Sequence, residues 1–220
     1  MNKMNVFLEV GSRRTFAAAL DWPGWCRMGR DEPAALQALF NYAPRYAQVL
    51  RRTRLGFRAP DDISAFVIVE RLKGNSTTDF GAPDIAPTGD AGPLEEAALQ
   101  QLQTILKACW RALDAAVEAA QGKSLRTGPR GGGRTLEGMV EHVLGSERGY
   151  LSQLGGKISQ PDPSTESIRP AILKTLEASA RGEIAKYGPR GGKRWSAHYF
   201  VRREAWHVLD HVWEIEDRLE

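Results

Sequence analysis

The stretch WHVLDHVWEIEDRL, Trp206 to Leu219, places two histidines four residues apart in a strongly amphipathic helical pattern. At about 100° per residue, His207 and His211 are offset by only about 40° and share one helix face. The same face carries Glu204, three residues before His207, and Glu214, three after His211. A metal site and a packed core both place histidines in this way. The rest of the chain has to supply what tells them apart.

Working outward, the second half reads as helix throughout. PLEEAALQQLQTILKACWRALDAAVEAAQG (93–122) opens on Pro93 and stops at Gly122, and Leu102, Ile105, Leu106, Cys109, Leu113 and Val117 keep the 3.6-residue period between them. TLEGMVEHVLGSERGYLSQLGG (135–156) has Thr135 as its cap and Gly155-Gly156 as its stop. A third helix is expected over 167–187, with Pro170 tolerated in its first turn, and a fourth over 196–219. Four amphipathic helices of this length predict a four-helix bundle over 93–220.

The first seventy residues mix strand and helix. NVFLEV (5–10), RTFAAAL (14–20) and WPGWCRMG (22–29) are short strand candidates separated by glycine-containing turns. DEPAALQALFNYAPRYAQVLRR (31–52) is helical, with Pro44 expected to kink or break it, and ISAFVIVERL (63–72) reads as a buried strand. The expected fold class is therefore an α+β N-terminal domain of order β-β-β-α-β (1–73), followed by an all-α four-helix bundle. The Gly, Pro, Ser, Thr and Asp of 74–92 predict a linker between the two.

His142 lies near the middle of the second bundle helix, one residue from Val143 on the apolar side. It is the residue that brings a third imidazole to the pair. Three imidazoles and an open position are how catalytic zinc and related divalent ions are held. Known helical motifs are excluded residue by residue. HVLDH has Val208 where H-E-x-x-H has its glutamate, and Asp210 where H-x-x-E-H has its own. A di-iron bundle needs Glu-x-x-His on two helices; EAWH (204–207) is one, but position 139 is Met. A mononuclear site is what survives.

TLEGMVEHVLGSERGYLSQL and RREAWHVLDHVWEIEDRL give residues 93–219 a resemblance to the DinB/YfiT-like superfamily of four-helix metalloenzymes. The resemblance implies His142, His207 and His211 as ligands of a divalent metal (nickel, zinc, iron or manganese). It also implies a small-molecule substrate, a low-molecular-weight thiol as co-substrate of an S-transferase or else hydrolysis, and a homodimer. Glu204 and Glu214 are the candidates for catalysis or for orienting a ligand imidazole. His198, about 180° round the helix from His207, stays outside the set.

GPRGGGR (128–134) and GPRGGKR (188–194) each precede a histidine-bearing helix. If those helices run parallel, Arg130, Arg134, Arg190, Lys193 and Arg194 cluster at one end and attract a carboxylate or phosphate. Solvated interhelical turns are the other reading. Neither loop is a P-loop, since the Lys-Ser/Thr ending is missing. Trp195, Trp206 and Trp213 either wall a pocket above the metal or pack as core, the expectation for Trp213.

In the N-terminal domain, LDWPGWCRMGRDEPAALQAL (20–39) is similar to the PGC…G…EEAL region of HicB-like domains, with Trp25 at the family's Cys position and Cys26 next to it. That resemblance implies an accessory module or a partner-binding one, the basis of a rival reading as a non-catalytic regulatory protein. A net charge of +3 on 30 basic and 27 acidic residues gives no footprint of general nucleic-acid binding. Two distant cysteines, no signal-peptide pattern and no apolar run of membrane length predict a cytoplasmic protein.

Overall fold

The computed structural model describes residues 3–127, 133–158 and 164–220. They form two compact units, Met1–Gly92 with Val201–Trp206, and Pro93–Phe200 with His207–Glu220. The architecture is a mixed sheet with its helices, then a helical region.

In the first unit, β1 (Met4–Val10), β2 (Thr15–Ala19), β3 (Cys26–Gly29) and β4 (Phe66–Lys73) make one sheet in the order β3-β2-β1-β4. The first three form an antiparallel meander, and β4 returns parallel to β1. A parallel return needs a crossover, and α1 (Glu32–Asn41) and α2 (Ala43–Leu50) lie within it. Asp31 caps α1, accepting from the Ala34 amide at 2.9 Å. Pro44 breaks the helix at Tyr42 and occupies the first turn of α2, where its missing N–H costs nothing.

All five residues of β2 are buried. Alternation sends Phe16 and Ala18 to one face, where they join Phe7, Cys26 and Trp206. Elsewhere in this unit Trp25 is fully buried, stacks on Tyr46, and donates its indole N–H to the Leu39 carbonyl at 2.8 Å.

Residues 74–92, expected as a linker, carry a short helix α3 (Ser76–Phe80) and a 3-10 turn at Thr88–Ala91. Side chains of the strand region hold them. Glu9, buried on β1, accepts from Thr78 Oγ1 and from the amides of Asp84 and Ile85. Asp79 accepts from the amides of Ser12 and Arg13 and from the Ser12 hydroxyl. Composition marks such a segment as loop-forming, but its hydrogen-bond partners lie some 70 residues away in sequence and leave no local signal.

The second unit holds α4 (Glu96–Ala120), α5 (Leu136–Leu154), α6 (Thr165–Ala180) and α7 (Ala197–Arg218), the last giving Val201–Trp206 to the first unit. Thr135 and Ser196 cap α5 and α7 through Gly138 N and Tyr199 N. Gly155 closes α5 with φ +108°, a conformation that suits glycine. α6 starts earlier and stops earlier than its apolar period predicts. Pro170 sits in its interior rather than its first turn, and the helix ends before Gly182, whose φ is +72°. α5 packs on α6, and α4 on both.

α5 and α7 are antiparallel. The Trp195 amide, just before α7, donates to the Gln153 carbonyl at the end of α5. At the other end Arg218 Nη2 donates to the carbonyl of Arg134, just before α5 begins. Among the described residues no helix is long and apolar enough to cross a membrane.

Candidate metal centre

The antiparallel pairing sets His142, one-third of the way along α5, beside the second half of α7. One ring nitrogen from each of His142, His207 and His211 lies within 4.8 Å of the others. His207 and His211 are buried and His142 half-buried. His142 Nε2 and His207 Nε2 are 3.0 Å apart, and the three rings meet edge to face with centroids 4.8 to 5.0 Å apart.

Two nitrogens held by one tetrahedral ion at about 2.0–2.1 Å would stand roughly 3.3 Å apart. The 3.0 Å pair is close to that, while a widest side of up to 4.8 Å is looser. The donor set is of the right chemistry for zinc or nickel, being three neutral-capable imidazoles, two of them buried.

The charge states agree. Burial holds the His142 imidazole below its ordinary pKa, with the charges of Arg134 and His211 adding to the effect. A neutral ring keeps a lone pair to offer. Glu214 is held below the usual carboxylate value chiefly by its hydrogen bond to His211 and also by Arg218. Its Oε2 lies 3.0 Å from His211 Nδ1. An ionised carboxylate only accepts, so Nδ1 carries the proton and Nε2 is left as the donor to an ion. A carboxylate behind a histidine in this way is the usual support of a metal-binding imidazole.

No protein-family model, curated protein or solved structure matches this chain.

The other sequence-predicted residues divide. Glu204 is fully buried on α7 within the Val201–Trp206 segment, and the converging group includes no carboxylate of its own. His198 is in the first turn of α7, nine residues and about 13 Å of helix rise before His207. Trp206 packs edge-on to Phe16 and Trp213 is fully buried.

The described arginines of the two glycine-arginine stretches do not form one cluster. With α5 and α7 antiparallel, Arg134 and Arg194 stand at opposite ends of a helix of 19 residues, roughly 28 Å apart. Arg130 lies outside the described residues. Arg134 and Arg190 are exposed, and Arg194 is occupied with the Ala185 carbonyl at 3.0 Å.

Two residues escape a search for ligands. Tyr150 packs edge-on to His207 with centroids 5.7 Å apart, and against Trp195 at 5.2 Å. Arg218 grips the far oxygen of Glu214 at 2.8 Å. Its signal is present in the sequence, since Glu214 and Arg218 stand at the i,i+4 spacing of a helical ion pair.

Proposed function

We propose that the protein is a divalent-metal-dependent enzyme of the DinB-like kind, its four helices forming a four-helix bundle around a three-histidine site. The observation that carries this reading is the convergence of His142, His207 and His211 within 4.8 Å from two helices. In it, His142, His207 and His211 hold nickel, zinc, iron or manganese. Bound there, the ion would supply Lewis acidity, making a water or a thiol a nucleophile at neutral pH.

The chain's own residues do the rest. Glu214 keeps the His211 proton on Nδ1. Tyr150 and Trp195 set an aromatic wall beside His207, which restricts water and offers a face to an apolar portion of a small substrate. Exposed Arg134 stands just before α5, and its positive charge reaches His142. Transfer to a low-molecular-weight thiol is the reaction preferred over hydrolysis. The buried thiols Cys26 and Cys109 suit the reducing cytoplasm in which such a thiol is found.

Elemental analysis of untagged protein grown in metal-supplemented medium tests the reading, beside a His207→Ala/His211→Ala double variant. Near-stoichiometric nickel, zinc, iron or manganese in the unmutated chain, lost in the variant, is the expected result. Two equally folded proteins that take up no added ion would make the histidines core residues and turn attention to the regulatory alternative.

A further inference from the structure

We propose that Arg218 is a positioning residue for the imidazole of His211, acting through Glu214 and anchored by the segments on either side of the 128–132 stretch. It rests on the metal reading only for its consequence, the affinity of the site.

Every nitrogen of the Arg218 guanidinium is committed. Nη1 donates to Glu214 Oε1 at 2.8 Å, Nε to the Arg126 carbonyl at 2.8 Å, and Nη2 to the Arg134 carbonyl at 3.1 Å. The side chain is about one-tenth exposed. A planar fork with three fixed bonds holds its plane, and so holds the carboxylate that meets it. A surface Glu–Arg pair four apart on a helix needs none of this and is worth little.

The surroundings are built to keep the fork in place. The Arg126 amide donates to the Arg218 carbonyl and Arg126 Nη2 to the Asp217 carbonyl, so Arg126 and the end of α7 clasp each other. Gly133 has φ +141°, and a Cβ there would stand 2.7 Å from Arg218 Nη2. Glycine lets the backbone lie against the guanidinium. The same contact ties down the chain entering α5, nine residues before His142. Arg218 thus links the two helices that supply the imidazoles.

The hydrogen-bond direction makes a definite claim. Glu214 Oε1 is engaged by Arg218, so Oε2 is presented to His211 Nδ1 and selects the Nδ1–H tautomer. Without the fork the carboxylate is free to swing to solvent, and the neutral ring then takes both tautomers.

The test is a long-range proton–nitrogen NMR correlation on metal-free, full-length protein with 15N-labelled histidine, which reads each ring's tautomer. His211 is expected in the Nδ1–H form in the unmutated chain and as a mixture in Arg218→Met, Arg218→Lys and Glu214→Gln. The Lys variant keeps the charge and stem without the fork, and serves if the Met variant does not fold. Titration with Co2+ should then show affinity lower by about 10- to 100-fold in each single variant. Arg218→Met combined with Glu214→Gln should fall no further than Glu214→Gln alone. Retention of the Nδ1–H form in both Arg218 variants overturns the proposal, as does Co2+ affinity equal to that of the unmutated chain. An unmutated chain that takes up no Co2+ overturns the metal reading instead, and the tautomer result still decides the role of Arg218.

Discussion

The Trp195 amide donates to the Gln153 carbonyl at 3.0 Å, joining the residue before the Ser196 cap of α7 to the last turn of α5. With the Arg218–Arg134 bond at the other end, it makes the helices antiparallel and separates Arg134 from Arg194 by the length of α5. Roughly 28 Å is several times the screening length of about 8 Å at physiological salt. Arg134→Glu and Arg190→Glu should therefore act independently on the affinity for inorganic phosphate, measured calorimetrically. A coupling energy above about 0.5 kcal/mol in the double variant would show that the two arginines meet.

His142 should respond to Arg134. The burial of the ring is the larger cause of its low pKa and the Arg134 charge the second. Arg134→Gln should raise the His142 pKa without restoring its ordinary value, and added salt should shrink the difference between variant and unmutated protein. The readout is an NMR titration of the His142 ring. The sign for stability follows. The unfolded chain binds a proton at this ring first as pH falls below 6.5, so His142's contribution is present above that value. It is lost as pH falls toward the lower folded value. A His142 titration that Arg134→Gln leaves unmoved would count against this electrostatic account.

Asp79 should carry a distinct acid signature. Hydrogen bonds from Ser12, with the Arg13 amide, lower its pKa from 3.8 to about 2. A depressed carboxyl stabilises the fold above its unfolded value and loses that contribution as pH falls from about 4 to about 2. Asp79→Asn should lower the urea midpoint at pH 6, with the difference closing by pH 2. A difference that persists unchanged at pH 2 would place the effect in packing rather than charge.

Trp25 should be among the costliest truncations of the first unit. It is fully buried, stacks on Tyr46 and donates to Leu39 O. Trp25→Ala should cost about 3–5 kcal/mol in chemical denaturation. Trp25→Phe keeps much of the volume and loses the hydrogen bond, for a cost nearer 1 kcal/mol on that account. Equal losses in the two variants would mean that volume is not what matters at this position.

Local pattern and tertiary arrangement contributed differently to this protein. The shared face of His207 and His211 is a property of helix pitch, so it was legible in four residues of sequence. Capping by Asp31 and Thr135, the break at Pro44 and the stop at Gly155 were equally local, because each depends on a hydrogen bond or dihedral within one turn. The ends of α6 were less legible, since Ile184 and the residues beyond Gly182 continue an apolar rhythm without continuing the helix.

Direction and partner were decided by the tertiary structure. Antiparallel packing of α5 on α7 determines that His142 meets the pair, that Tyr150 reaches His207, and that Arg134 and Arg194 part company. The side chains of Glu9 and Asp79 decided that residues 74–92 fold back on β1 and the β1–β2 turn. Helix pitch is set by neighbours within four positions, and sequence shows it. Which end of one helix lies beside which end of another depends on contacts made across 40 to 90 residues of chain, and only the folded backbone brings those groups together.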